Sequence, residues 1–325
     1  MSNLSMGPTI MKQKKLQAMF NRAGKSGGRI GTGSLHLMLL PSVVLLLVYS
    51  YMPMAGLVIA FKEFQLGKGF AAIFASKWVG LAHFKRIFSN EDTMNAIWNT
   101  VNISFWKIVM MFLIPLIVSI LLNEIRKSYI KRGIQTLIYL PYFLSWIILA
   151  GIIKDVFGMD GAVNTILNLL FNTEPTIWLG EKKLFPFIIV LTHVWKEFGF
   201  STIIFLAAIT SINPSLYESA VVDGATRWKQ IWHITLPGMR PIIVLCLVLS
   251  IGGILNAGFE QIFNLYSVPV YDTGDIIDTL IYRISFMSGQ YDIGTAIGLF
   301  KSVISGVLVS LSYYLAFKVA NYEIF

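Results

Sequence analysis

At 325 residues the chain is long enough for one or two soluble domains, but 55% hydrophobic residues, 13% charged residues and a mean hydropathy of +0.68 place it among polytopic membrane proteins. The net charge of +9 does not read as a nucleic-acid surface, because many basic residues lie beside apolar runs and do not gather in aromatic-interleaved patches. The single cysteine, Cys246, sits inside an apolar run, which excludes a disulfide framework and a CxxC metal site; His36, His83, His193 and His233 show no ligand spacing.

Residues 1–33 are polar and basic, with Lys12, Lys14, Lys15, Arg22, Lys25 and Arg29, and read as a cytosolic tail. Within it Leu16, Met19, Phe20 and Ala23 have the spacing of a short surface helix; a disordered tail is the alternative. Six apolar runs follow, at 35–61, 97–123, 134–154, 185–210, 241–259 and 293–319. Each suits a helix crossing a hydrocarbon core of ~30 Å at ~1.5 Å per residue. The first is long and has no small-residue cleavage site, so it reads as a span and not a signal peptide. The fold class expected is an all-α polytopic membrane protein with six transmembrane helices. Pro41, Pro53, Pro115 and Pro141 lie in or near spans and are expected to kink them.

Six spans place both termini on one side. The tail, the loop with Arg126, Lys127, Lys131 and Arg132, the segment from Glu218 to Arg240, and Lys318 share that side, which is the cytosol by charge bias. The first outer loop opposes the rule locally with Lys62, Lys68, Lys77, Lys85 and Arg86. In the same loop Trp78, Leu81, Phe84 and Phe88 form the apolar stripe of a short interfacial helix. In the fourth span Lys196 and Glu197 are adjacent.

Residues 214–241 break the pattern with a polar, helix-interrupting segment between two apolar runs. Asn213 is placed to cap a helix opening at Pro214, and Ser215 with Glu218 has capping-box spacing. Asp223-Gly224 breaks that helix. A second short helix carries Ala225, Trp228, Ile231 and Trp232 on one side, ends at Pro237 and gives way to the next span at Pro241. The object expected is a helix–turn–helix with an apolar knob joined to a membrane helix; an ordinary amphipathic helix lying on lipid is the plainer reading. Beyond it, Asn256, Glu260 and Gln261 cluster near the end of the fifth span. In the last, Gly294, Gly298, Ser302, Gly306 and Ser310 recur every fourth residue, a ridge for close helix packing.

The series Glu218, Ser219, Ala220, Gly224, Ile234, Leu236 and Pro237 resembles the cytosolic coupling motif of ABC-importer permeases, EAA-x3-G-x9-I-x-LP, with Ser219 replacing the second Ala. The likeness continues from about residue 35 to the C-terminus. It includes Tyr51 to Lys62, Trp78 to Leu81, Trp195 to Phe200, Phe205 to Ala208, Gly252 to Asn256, Phe259 to Ile262, Asp278 to Arg283 and Ala296 to Lys301. Together these resemble the polysaccharide and complex-oligosaccharide branch of the maltose-type permeases, which includes alginate importers. The chain departs from that branch at Ser267-Val268-Pro269, where the branch carries Asn-Pro.

The resemblance implies a type I ABC-importer permease fold in a bacterial cell membrane, with residues 34–325 as the permease domain and 214–241 as its coupling segment. It implies a second homologous permease subunit, two ATPase subunits and an extracytosolic solute-binding protein as partners, and a poly- or oligosaccharide as cargo. ATP and Mg would sit on the ATPases: the chain has no GxxxxGK[ST] loop, so no catalytic residue, metal or cofactor is expected on it. The residues expected to meet the ATPase are Glu218, Ser219, Ala220, Asp223, Gly224, Ala225, Trp228, Ile231, Ile234, Leu236 and Pro237. Candidates for the sugar path are the intramembrane polar residues Asn256, Glu260, Lys196 and Glu197, since charge in lipid normally faces a wet interior, with Trp146 and Phe259 as stacking rings. A structural Lys–Glu pair and plain aromatic core are the alternatives for these positions. An ion-gradient-driven secondary sugar transporter, using Lys196, Glu197 and Glu260 as ion sites, is the competing function; a membrane-embedded enzyme is disfavoured by the lack of HExxH or a nucleophile cluster.

Overall fold

The computed structural model describes residues 32–64 and 72–320, so the expected tail helix around Leu16–Ala23, and Lys68 of the outer loop, lie outside it. The described residues divide into two units, with the boundary between Leu57 and Val58. Among the described residues, secondary structure is helical apart from one isolated bridge between Lys62 and Trp78. Five helices are long and apolar enough to cross a membrane: α1 (Leu35–Phe61), α3 (Glu91–Glu124), α7 (Phe185–Thr210), α9 (Arg227–Gly252) and α12, whose apolar stretch is Tyr291–Leu315.

The third expected span, 134–154, is not a rod. It is a pair of helices, α4 (Ser128–Phe143) and α5 (Trp146–Val156), meeting at 102°. The cause lies in the sequence: α4 tightens over Leu140–Phe143, where Pro141 has no N–H to continue the ladder. α5 then starts afresh from Ser145, whose hydroxyl accepts the Ile148 N–H at 3.4 Å. Counted as one broken span, the pair brings the number of crossings to six.

The outer interfacial helix, α2 (Ala82–Ser89), begins after Trp78 and Leu81, so only part of the expected stripe lies on it. Phe84 packs on Phe61 and Phe88 meets Phe300 edge-on at 5.0 Å, whereas Trp78 and Leu81 stay exposed. Trp78 is nonetheless fixed, stacked on Phe61 at 5.6 Å.

Spans α3 and α7 pack along each other, as do α9 and α12. With little hydrophobic drive between helices in lipid, close approach by small residues matters most. Gly199 of α7 shows this: a Cβ there would stand 2.0 Å from the Ile138 carbonyl oxygen of α4. The small-residue ridge of α12 (Tyr291–Ala320) is used at one end only. Gly294 lies against Ser285, while a Cβ built on Gly306 would meet no other element within 4 Å among the described residues, and Ser302 and Ser310 bond back to their own helix.

Between α9 and α12 the chain makes a series of short helical turns, the longest being α10 (Phe259–Leu265) and α11 (Ile277–Tyr282). Side chains of α3 hold this segment: Asn99 Nδ2 donates to the Asp272 and Asp275 carbonyls, and Thr100 Oγ1 accepts the Ile277 N–H at 2.9 Å. Asp275 in turn binds Thr279 and Arg283, each at 2.6 Å. A buried cluster of Ile103, Leu149, Ile189, Ala257, Ile262 and Leu265 joins α3, α5, α7 and α10.

Candidate functional site

The segment between α7 and α9 is built from two capped pieces. α8 (Pro214–Val222) starts at Asn213, whose side chain accepts the Ser215 N–H at 3.0 Å, with Pro214 in the first turn as expected. Because Asn213 is the cap, Ser215 lies inside the helix, and the expected Ser215–Glu218 box gives way to a Ser219 hydroxyl bonded to the Ser215 carbonyl at 2.9 Å. The exit is a complete Schellman turn: Gly224 N–H reaches the Val221 carbonyl at 3.1 Å and Ala225 N–H reaches the Ala220 carbonyl at 2.8 Å. Gly224 has φ +73°, a region costly for residues with a Cβ. No atom lies within 4 Å of a Cβ built on it, so conformation and not space selects glycine.

Thr226 caps the next helix through the Lys229 N–H at 3.4 Å. This helix does not end at Pro237. Arg227–Gln230 passes through one wide turn, Ile231–Thr235, into Leu236–Gly252, so that α9 runs unbroken from Arg227 to Gly252. Pro237 falls in the first turn after the wide one, where a wider hydrogen-bond register absorbs a missing N–H. Over 26 residues the rod is roughly 39 Å long at 1.5 Å per residue.

Three contacts hold this rod, one to α8, one to the turn after it and one to α3. Tyr217 and Thr235 share a hydroxyl bond of 3.0 Å, the buried Gln230 amide donates to the Ala225 carbonyl at 2.9 Å, and Arg227 lies 3.9 Å from Glu124 of α3. Ala220, Ala225, Ile231, Ile234 and Leu236 are half-buried in the joint; Glu218, Ser219, Asp223 and Pro237 are exposed. So are Val221, Val222, Trp228 (67%) and Trp232 (54%), the two indoles meeting edge-on at 6.0 Å. The segment thus exposes apolar and aromatic side chains, Val221, Val222, Trp228 and Trp232, along with the carboxylates Glu218 and Asp223.

The six sugar-path candidates do not form one site. Lys196, Glu197 and Trp146 come together: Lys196 is buried, 3.0 Å from Glu197, donates to the Tyr142 carbonyl at 3.1 Å and lies over the Tyr142 and Trp146 rings. Trp146 stacks on His193 at 6.1 Å and Tyr142 on Phe200 at 4.3 Å. Asn256 and Phe259 instead line a separate cavity of about 690 Å³ with Asp278, Tyr282 and Lys301. Asp278 and Lys301 are ion-paired there at 2.5 Å. Glu260 is exposed and belongs to neither cluster.

Lys107 and Asp278 were not singled out from the sequence. Lys107 is buried in α3, donates to the Ala257 carbonyl at 2.7 Å and the Gln261 Oε1 at 2.5 Å, and takes part in no ion pair among the described residues. A lysine in the middle of an apolar run was itself a signal, because charge in lipid is expensive. Asp278 carried no comparable signal, since its partner Lys301 lies 23 residues away. Among the described residues no His, Cys, Asp or Glu group is placed to hold a metal.

The family model of binding-protein-dependent transport system inner membrane components matches residues 111–320. The chain is 39% identical over 284 residues to the polygalacturonan/rhamnogalacturonan transport system permease protein YteP of Bacillus subtilis (strain 168), covering 87% of this chain and 88% of YteP. It is equally similar, 39% over 284 residues, to protein LplB of the same organism. Its fold matches a chain in the crystal structure of a bacterial ABC transporter involved in the import of the acidic polysaccharide alginate. The TM-score is 0.81 at 38% identity, over 88% of this chain and 95% of that one.

Proposed function

The chain belongs to the family of binding-protein-dependent transport system inner membrane components, and on that premise we propose that it conducts acidic polysaccharide fragments across a bacterial cell membrane. It is the permease subunit of an ABC sugar importer. Its partners in this reading are a second, related permease subunit, two ATPase subunits that hold ATP and Mg, and an extracytosolic solute-binding protein. Both termini lie in the cytosol, residues 34–325 make up the permease domain, and this chain hydrolyses nothing itself. The acidic character of the cargo rests on two relatives: YteP, named for polygalacturonan and rhamnogalacturonan, and the alginate transporter.

In this reading the segment from Pro214 to Pro241 receives the ATPase. Glu218 and the exposed Trp228–Trp232 pair enter a cleft on one ATPase subunit, while Ser219, Ala220, Asp223, Gly224, Ala225, Ile231, Ile234, Leu236 and Pro237 set the joint's shape. The observation that carries this is the continuity of α9: an exposed aromatic knob and a transmembrane span are one helix, so a push on Trp228 displaces the whole span. A push on a flexible loop would be absorbed there.

The sugar path runs past two polar clusters: Lys196, Glu197 and Trp146, and the cavity with Asn256 and Phe259. Glu260, exposed and unpaired among the described residues, lies next to the second. Lys196, Arg283 and Lys301 are each neutralised by a carboxylate, so recognition of a uronate by these residues requires exchange of a partner and not filling of a bare cation site. The test is uptake by the reconstituted complex of labelled oligogalacturonates against neutral oligosaccharides of equal length. Preference for the acidic series supports the reading, and preference for the neutral series removes the acidic cargo.

A further inference from the structure

We propose that Lys107 is a positioning residue that anchors the far side of a hinge at Gly253–Gly258, so that movement of α9 bends the chain there and does not drag α10 with it. The inference rests on the reading above that α9 is the driven element.

The hinge is visible in the backbone. α9 stops at Gly252, and from Gly253 to Gly258 the chain makes only local turns, with Gly253 N–H on Ser250, Ile254 N–H on Ile251 and Asn256 N–H on Gly253. Gly258 then adopts φ +91° before α10 begins. Two rigid pieces therefore meet at six residues that carry no continuous helical ladder, and two of the six are glycines.

The two sides of the break are held very differently. In α9 after the wide turn, Met239 is the buried residue, and the remaining side chains are exposed or half-buried. At the far end of the break Ala257 is fully buried, and beyond it so are Gln261 and Ile262. Lys107 Nζ donates at once to one carbonyl in the break, that of Ala257, and to the side-chain oxygen of Gln261 in the first turn of α10. Gln261 is itself tied to α7, its amide donating to the Ile189 carbonyl at 2.8 Å and Thr192 Oγ1 at 2.9 Å. A Cβ on Gly258 would stand 3.3 Å from Lys107 Nζ, so the ammonium rests directly against the break. One side is thus mostly half-buried, packed along α12 and joined to the exposed knob; the other buries Ala257, Gln261 and Ile262 fully and is hydrogen-bonded to both α3 and α7.

Retention of an ammonium here also needs a reason. Burying a cation without a carboxylate is costly, and a methionine of similar length fills the same space without that cost. What methionine lacks is donors for Ala257 and Gln261. Holding those two acceptors is a task for a long side chain that donates, which lysine and arginine share and methionine does not.

The experiment uses the complete complex in nanodiscs, in a Cys246→Ser background, with spin labels at the exposed positions Leu249→Cys and Val268→Cys on either side of the break. Lys107→Met is expected to broaden the label–label distance distribution by about twofold, and Lys107→Arg to restore its width. In proteoliposomes the sugar carried per ATP hydrolysed should fall roughly tenfold in Lys107→Met, with ATP hydrolysis itself kept and Lys107→Arg rescuing the ratio. An unchanged distance distribution and ratio in Lys107→Met, or Lys107→Arg behaving like Lys107→Met, overturns the proposal. Should Lys107→Met not assemble, Gln261→Leu takes its place: the same broadening is expected, and an unchanged width is equally decisive against it. The distances are read without any sugar, so a complex that shows the hinge but rejects acidic glycans counts against the cargo and not against Lys107.

Discussion

Gly224 offers the sharpest perturbation of the joint between α8 and α9. Its φ of +73° places it in the left-handed region, where a residue with a Cβ costs about 1–2 kcal/mol relative to glycine. Because no atom lies within 4 Å of the added Cβ, bulk contributes nothing within this chain and the cost is conformational. That makes the series Asn, Ala, Val diagnostic. Asn tolerates the left-handed region, Ala bears the ordinary cost, and β-branched Val is a strong outlier there. The Schellman turn then opens at the Ala225–Ala220 bond, and the Trp228–Trp232 pair leaves its position. Gly224→Ala and Gly224→Val should lower the fraction of correctly seated joints by roughly five- to thirtyfold, and Gly224→Asn far less. The assay is copurification of the ATPase subunits together with sugar uptake, with capture of sugar by the binding protein as the unaffected control. If Val and Asn behave alike, or Val matches the parent, the conformational argument is wrong.

Glu218→Ala should weaken ATPase association or uncouple hydrolysis from uptake while leaving sugar preference unchanged; pull-down and competition uptake measure the two. Asn256→Ala should do the reverse, raising the half-saturating sugar concentration in uptake assays with the ATPase still bound. Gly199→Leu should cost about 3 kcal/mol by driving α7 off α4, since even a Cβ would lie 2.0 Å from the Ile138 carbonyl. It should show as a lowered thermal midpoint of the purified complex.

Much of the architecture was legible because the bilayer imposes simple rules. Length and hydropathy located three of the spans, α1, α7 and α12, within about two residues, while α3 starts six residues earlier than expected and the expected span 241–259 lies at Arg227–Gly252, so that Asn256 and Phe259 fall beyond its end. Asn213, Pro214 and Gly224 announced their cap and turn through local chemistry. Two features misled. Pro141 was read as a kink, but with Ser145 ready to cap a new helix it became a bend of 102°. Pro237 was read as a stop, yet one wide turn at Ile231–Thr235 carried the helix past it, a register change that no residue type signals. The sugar-path candidates were chosen one span at a time. Whether Lys196 meets Tyr142, or Lys301 meets Asp278, depends on helix rotation and on contacts over 23 to 54 residues of chain, which spacing within a span does not encode. Lys107 was legible as a charge inside an apolar run; its partners, 150 and 154 residues away, were not.

The central claim is that an ATPase, acting through this chain, drives sugar inward. The most direct measurement reconstitutes the chain with its partner permease, the ATPase subunits and the binding protein in liposomes, and follows oligogalacturonate uptake with ATP supplied and ion gradients collapsed by ionophores. The account predicts uptake that requires ATP, the ATPase subunits and the binding protein, persists without gradients, and is absent from liposomes holding this chain alone. Uptake by this chain alone, driven by an imposed proton or sodium gradient without ATP, would contradict it.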